Sequence, residues 1–283
     1  MDSVNGAFRL YNGVEIPCPG FGTWQTPEDT AAKAVACAIE AGYTHIDTAA
    51  VYGNETGVGQ GIRDSGALRN SLFITTKLWN TDRGYKNTLE AFEKSLERLG
   101  LDYVDLYLIH WPANELQFGS EATQINCDTW RALEHIYVQG GARAIGVSNF
   151  LPRHLAPVLS GAKIKPAVNQ IEYHPGYMQQ ECTALCRDND ILVQAYSPLG
   201  TGKLLTDASL CGIAAEYGVS AARLCLRWAV QNGILPIVKS VTPERIQDNI
   251  KVFDFEISAQ DMARIDALEC VGMTGSHPDK VNW

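Results

Sequence analysis

Residues 45–55 read HIDTAAVYGNE, so an acid, Asp47, stands five residues before a phenol, Tyr52, at the end of a short apolar run. Two more β-rich runs end on titratable groups. The run LFITTKL at 72–78 carries Lys77 at its end and is followed by Trp79; VDLYLIH at 104–110 ends on His110 and is followed by Trp111. Each has an ordinary structural explanation when taken singly. Asp47 can cap the next helix, Lys77 can sit in an ion pair, and His110 can be a hydrogen-bonded core histidine. Together they are harder to dismiss, because a lysine and a histidine that end apolar strands are costly unless partnered. The residue types suggest a chemistry. A free tyrosine has a pKa of roughly 10, too high for easy acid work near neutrality. A nearby ammonium favours the phenolate, so Lys77 is expected to lower the pKa of Tyr52, with Asp47 keeping Lys77 charged. His110 can hydrogen-bond a carbonyl oxygen while Tyr52 gives it a proton as negative charge develops. A proton donor and an oxyanion site, with no nucleophile and no metal set, suit carbonyl reduction with a hydride supplied by a cofactor.

Positioning these groups is the task of the fold. Eight short β-rich runs alternate with helical stretches: 20–24, 44–49, 72–78, 104–110, 142–148, 167–173, 191–197 and 235–240. Several are continuous apolar runs, the pattern of parallel strands covered on both faces. PEDTAAKAVACAIEAG opens on Pro–acid and closes on Gly42, and KNTLEAFEKSLERLG puts Leu89, Phe92, Leu96 and Leu99 on one face before Gly100; SAARLCLRWAVQNG ends similarly on Gly233. AFRLYNGVEI carries Asn-Gly between two β-like runs, a hairpin signal. The expected class is α/β: one (β/α)8 barrel domain over residues 1–283, with an N-terminal β-hairpin and a short C-terminal tail after Leu268. Residues 111–126 read as the longest irregular stretch, and a loop of that length is a candidate for function. A tail this short is expected to leave the barrel mouth open. In such barrels the active site lies at the C-terminal strand ends. Those ends add Ser148, Asn149, Gln170, Tyr196, Ser197, Lys239 and Ser240 to the first four residues.

Composition narrows the classes. The chain of 283 residues is 46% hydrophobic with a net charge of −9, which speaks against nucleic acid or an anionic membrane as partner. No apolar run reaches the roughly 20 residues of a membrane span, and MDSVNGAFRL lacks the layout of a signal peptide, so a cytoplasmic protein is expected. The eight cysteines form no CxxC; Cys182 and Cys186, four apart, share a helix face and read as packed reduced thiols. GVGQG at 57–61 is not a dinucleotide fingerprint and reads as close helix packing, while GTGK at 200–203 lacks the first glycine of a P-loop. A glycosidase needs two facing carboxylates, and Glu172 is the one obvious acid at strand six; the six histidines do not group as metal ligands.

The motifs GYTHIDTAAVYGNE, ITTKLW, DLYLIHWP, AIGVSNF, VNQIEYHP, AYSPLG and IVKSVTPERIQDN, in this order, resemble the signatures of the aldo-keto reductases, and the resemblance runs from NGVEIPCPGFGTW to the tail. The set is most similar to the microbial branch that includes diketogluconate reductases and prostaglandin F synthases. The resemblance implies that Asp47, Tyr52, Lys77 and His110 are a catalytic tetrad. It implies NADP(H) as cofactor, with Gly22, Thr23 and Asp47 beside it, and Ser148, Asn149 and Gln170 on the carboxamide. The resemblance also implies that Tyr196 stacks on the nicotinamide and that Ser197, Leu199, Gly200 and Lys203 lie along the pyrophosphate. It further implies Lys239, Ser240, Val241, Thr242 and Arg245 around the adenosine 2′-phosphate, with Asp248 toward the adenine and Asn249 following it among the cofactor contacts. Asp248 stands where the family commonly has the longer Glu, which weakens the expected adenine contact. Two cations, two hydroxyls and a helix start near Pro243 favour a phosphate over a free ribose hydroxyl, hence NADPH over NADH. Trp24, Trp79 and Trp111, with Tyr52 and His110, are expected to line an apolar pocket for a small carbonyl substrate. A monomer is expected, and a non-catalytic NADP(H)-binding regulatory subunit is the alternative.

Overall fold

The computed structural model describes residues 6–269 and 271–283. Two strands, β1 (Ala7–Arg9) and β2 (Glu15–Pro17), form the expected antiparallel hairpin about Asn12-Gly13. Eight parallel strands then close a barrel: β3 (Gly20–Gly22), β4 (His45–Asp47), β5 (Phe73–Leu78), β6 (Val104–Ile109), β7 (Ala142–Ser148), β8 (Val168–Glu172), β9 (Leu192–Tyr196) and β10 (Leu235–Val238). They are hydrogen-bonded in chain order, with β10 returning to β3. All eight expected strands are present, and apart from Arg143 in β7 and the half-buried Tyr196 that ends β9, their residues are buried. The observed strands are shorter at the mouth. Residues 23–24, 48–49, 110 and 239–240 leave the ladder there, which frees those side chains for other contacts.

The helices α1 (Glu28–Glu40), α2 (Glu55–Asp64), α3 (Tyr85–Leu99), α4 (Glu115–Phe118), α5 (Ala122–Val138), α6 (Pro152–Gly161), α7 (Gln180–Asp188), α8 (Ala208–Glu216), α9 (Ala221–Gln231), α10 (Pro243–Asn249) and α11 (Ala259–Asp266) follow in sequence. Residues 111–126 are not an irregular loop, contrary to expectation. Asn114 caps α4 by accepting from the Gln117 amide at 3.0 Å, and a 3-10 turn at Gly119–Glu121 leads into α5. Cys182 and Cys186 pack on the inner face of α7 as buried thiols. No helix among the described residues is long and apolar enough to cross a membrane.

The hairpin covers the N-terminal end of the barrel. Tyr11 donates to the Lys165 carbonyl at 2.6 Å and Asn12 to the Arg143 carbonyl at 3.1 Å, both at the entry ends of strands. Fully buried Asp105 gathers Arg69 and Arg143, each at 2.7 Å, and the Ile74 amide at 2.9 Å, tying β5, β6 and β7 there. That end is thus given to stability, and the opposite end carries the candidate residues.

The GVGQG glycines serve close packing, as expected. A Cβ on Gly57 or Gly61 would stand 2.5 Å from the carbonyl of Glu28 or of Ala32 in α1, and one on Gly59 would overlap the Leu99 carbonyl at the end of α3. The helix α2 is wedged between two neighbours. Alanine is intrinsically the better helix former by about 1 kcal/mol. Gly59→Ala should nevertheless destabilise the protein by about 1–3 kcal/mol through overpacking. Urea unfolding measures this, and equal or greater stability of the variant would show that α2 is not wedged.

Candidate active site

The barrel mouth has two halves. The strands β4, β5 and β6 bring Asp47, Tyr52, Lys77 and His110, while β7 to β10 bring most of the candidate cofactor residues. Asp47 ends β4, and the chain then turns through a 3-10 helix, Ala50–Tyr52, closed by Gly53 in the left-handed region. That turn is the reason for the five-residue gap, since it brings the phenol back over Lys77.

Lys77 is 0% exposed. Its Nζ donates to Asp47 Oδ1 at 2.5 Å, to the Thr48 carbonyl at 2.8 Å and to the Tyr52 hydroxyl at 3.4 Å. An ammonium has three hydrogens, and three acceptors take them. The phenol oxygen therefore accepts from Lys77, and its own hydrogen remains available for a ligand. Burial lowers the pKa of Lys77, and the neighbouring Asp47 and Glu55 carboxylates oppose that shift.

Tyr52 corrects one expectation. Burial, and then the negative charge of Asp47, raise its pKa well above the ordinary 10 rather than lowering it. The Lys77 charge is already balanced by Asp47, so the phenol faces a near-neutral ion pair and desolvation dominates. Tyr52 is a protonated acid throughout the physiological range. His110 is neutral there as well, because burial, and then the Lys77 charge, push its pKa well below 6.5. Its Nδ1 is buried with no hydrogen-bond partner among the described residues. Nε2 is then the nitrogen that can donate to a ligand. The ring stands edge-on to Tyr52 at 5.6 Å and to Trp79 at 5.4 Å.

The other half is connected to the first. Ser148 Oγ donates to the Gln170 carbonyl at 2.8 Å, and Asn149 Nδ2 donates to the His110 carbonyl at 2.9 Å. Tyr196 donates to Asn149 Oδ1 at 2.8 Å, and Gln170 Nε2 donates to Asp47 Oδ2 at 2.8 Å. Thr23 donates through both N and Oγ1 to the Asp47 carbonyl, and Gly22 pairs with Asp47 across the ladder. Ser197, Leu199, Gly200 and Lys203 lie in or beside the turn after β9, with Lys203 exposed. After β10, Lys239 and Arg245 are exposed cations with no ion-pair partner among the described residues. Ser240 Oγ accepts from the Thr242 amide at 3.1 Å, while Val241 is exposed and Asn249 buried. This donor set suits an anionic group. Asp248 is turned away from it: Ser220 donates to its carboxylate at 2.9 Å and Arg223 lies 3.7 Å from it.

Trp24 is half exposed at the rim, and Trp79 and Trp111 are partly buried there. The mouth is not open, contrary to expectation, because the tail straps it. Buried Glu172 receives the Thr274 amide at 2.7 Å, the Thr274 hydroxyl and the Gly275 amide at 3.0 Å. Asn114 donates to the carbonyls of Pro278 and Val281, both at 2.9 Å, and Asp279 pairs with Arg153 and His154. The Trp283 ring meets Trp111 edge-on at 6.0 Å. Met273, Ser276 and Pro278 thereby line a cleft with Asn149 and Tyr196.

Three supporting residues escaped the sequence reading. Asn54 is buried, accepts from Thr48 and donates to the Thr23 and Thr26 carbonyls, so it ties the Trp24 loop to the Tyr52 turn. Buried Glu55 takes Thr76 at 2.5 Å and Arg98 at 2.7 Å. Gln194 holds the Gln170 amide at 3.0 Å. The signal for the first two was their place immediately after Tyr52.

Residues 19–269 match the family described as "Aldo/keto reductase family". The chain is 48% identical over 280 residues to "Glyoxal reductase" of Bacillus subtilis, covering 99% of this chain and 98% of that protein. It is 46% identical over 274 residues to "9,11-endoperoxide prostaglandin H2 reductase" of Trypanosoma cruzi, covering 95% and 94%. Among solved structures, a Bombyx mori aldo-keto reductase in complex with NADP aligns with a TM-score of 0.85 at 37% identity, covering 92% of this chain and 91% of that one. The chain belongs to the aldo/keto reductase family.

The tail strap has a pH signature. Burial raises the pKa of Glu172, but hydrogen bonds from His174, Thr274 and Gly275 outweigh it and hold the carboxyl below its usual range. A depressed folded pKa contributes stability above the unfolded value that is lost as pH falls through the folded one. Hydrogen bonds to a charged group contribute about 1.5–3 kcal/mol each. Glu172→Gln should therefore speed amide exchange at Thr274 and Gly275 by about tenfold or more at neutral pH. The wild type should show the same loosening only in acid. Unchanged exchange in the variant would rule out the clamp.

Proposed function

We propose that the protein reduces small aldehydes and ketones to alcohols with NADPH, with Tyr52 as the proton donor. The observation that carries this reading is the saturation of Lys77 by Asp47, Thr48 and Tyr52, which leaves the phenol hydrogen unspent. When bound, the reduced nicotinamide supplies a hydride to the carbonyl carbon. Neutral His110 orients the carbonyl oxygen through Nε2. Tyr52 donates its proton to that oxygen as negative charge grows there, and Lys77 stabilises the phenolate left behind. Asp47 holds Lys77 in place and charged.

In this reading Ser148, Asn149 and Gln170 hold the carboxamide and Tyr196 presents its ring to the nicotinamide. Lys239, Ser240, Thr242 and Arg245 receive the 2′-phosphate, supported by the two exposed cations that lack carboxylate partners among the described residues. Asp248 is the least suited of the proposed contacts, since Ser220 and Arg223 engage it. Trp24, Trp79 and Trp111, joined by Trp283, form the apolar surround of the substrate. A relative named for glyoxal supports small dicarbonyls within the range, and one named for a prostaglandin endoperoxide supports room for larger apolar molecules. We further propose that residues 1–283 act as one domain, in the cytoplasm, as a monomer without nucleic-acid or membrane partners. The assembled tetrad favours turnover over a purely regulatory NADP(H)-binding role.

Tyr52→Phe should lower turnover by about 10²–10⁴-fold, the usual contribution of a general acid, with NADPH affinity retained. Following NADPH oxidation with an aldehyde panel tests this, and near-normal turnover would remove Tyr52 as the acid. Arg245→Ala should weaken NADPH binding by about tenfold or more while leaving NADH unchanged, as loss of a charge-assisted bond predicts. Equal losses for the two cofactors would move the phosphate site elsewhere.

A further inference from the structure

Beneath the mouth runs a chain of side-chain hydrogen bonds whose polarity is set from one end. The Asp47 carboxylate can only accept. Its Oδ1 takes Lys77 and its Oδ2 takes Gln170 Nε2 at 2.8 Å. Gln170 therefore presents its N–H2 inward, and Nε2 also donates to Gln194 Oε1 at 3.0 Å. Gln194 lies directly across from Gln170 in the β8–β9 register and is completely buried. Its own Nε2 is left buried with no hydrogen-bond partner among the described residues. Turning the Gln194 amide over would set N–H2 against N–H2, so the unsatisfied donor is the consequence of giving Gln170 an acceptor.

With both amide hydrogens spent, the group that Gln170 retains for a ligand is Oε1, an acceptor. We propose that Gln194 is a positioning residue for the reaction: it pins the Gln170 amide so that Oε1 receives the N–H2 of a nicotinamide carboxamide while its N–H stays on Asp47. Gln194 does not itself meet the cofactor. It acts through Gln170, and it ties placement of the nicotinamide to the Asp47–Lys77 pair. The inference rests on the reading of Gln170 as a carboxamide contact.

The experiment measures dissociation constants by fluorescence titration of the full-length protein, together with thermal stability. Gln194→Met, nearly isosteric and apolar, removes the acceptor and the unsatisfied donor together. A merely structural role predicts that binding and stability move in the same direction. The proposal predicts that they separate: melting temperature equal or higher, and NADPH dissociation constant about tenfold higher. An adenosine bisphosphate fragment that lacks the nicotinamide should bind as to wild type. In a Gln170→Met background, Gln194→Met should add nothing, because its effect passes through Gln170. If the methionine variant does not fold, Gln194→Leu takes its place in the same cycle. Unchanged NADPH affinity in Gln194→Met, or the same tenfold loss in both backgrounds, overturns the role of Gln194 while leaving the carboxamide reading intact. Unchanged NADPH affinity in Gln170→Met overturns the carboxamide reading and the proposal with it.

Discussion

A lysine ammonium sealed from water must be surrounded by acceptors, and much of this barrel mouth is arranged around that requirement. The acceptors of Lys77 all come from the stretch Asp47–Tyr52: a carboxylate at the strand end, a backbone carbonyl one residue on, and a phenol on the turn that follows. A buried charge left unpaired costs several kcal/mol, by rough estimate. The loop after β4 is therefore held by the lysine as firmly as the lysine is held by the loop. The second oxygen of Asp47 reaches across the barrel to Gln170, so one ion pair joins the proposed catalytic half of the mouth to the proposed cofactor half.

The same pairing governs the proton. A bare cation beside Tyr52 would draw its pKa down, and a cation matched by a carboxylate at 2.5 Å has little field left with which to do so. Burial then decides the sign, and the phenol keeps its hydrogen. In the proposed reaction Lys77 acts as the stabiliser of the phenolate once the proton has gone. The division so proposed, an acid that keeps its proton at rest and a cation that answers its later charge, suits a reaction in which the oxygen to be protonated becomes strongly basic.

Much of this was legible in the sequence, and the limits have physical causes. The eight strands could be read because parallel strands buried on both faces leave unbroken apolar runs, and polar residues at their ends then stand out. Lys77 and His110 were visible for that reason. The direction of the Tyr52 shift was not, because it depends on a balance of distances that spacing does not encode. The tail strap was not legible either. Thr274 lies 102 residues from Glu172, and Pro278 lies 164 from Asn114, so neither half of the clamp signals the other. Glu172 drew attention as a lone acid at a strand end, which is what a clamp for backbone amides looks like before its partner is known. The helical start at Glu115 was hidden by the absence of an apolar period in so short a segment.

Strand alternation explains how one barrel serves both the ion pair and the tail. Alternate residues of a strand face the same side, so Gln170 and Glu172 share the inner face of β8 while Asn169 and Ile171 turn outward. The register pairs them with Gln194 and Tyr196 of β9. Two polar layers result. The deeper one, Gln170 with Gln194, is bonded to Asp47; the upper one, Glu172 with Tyr196, reaches the tail and Asn149. A slip of one residue in β8 would turn Gln170 and Glu172 outward and break the bond to Asp47 and the strap together. The register of two adjacent strands therefore sets both the floor of the proposed nicotinamide site and the cover over it. A change in the deeper layer cannot be treated as independent of the mouth, since the two layers share both strands.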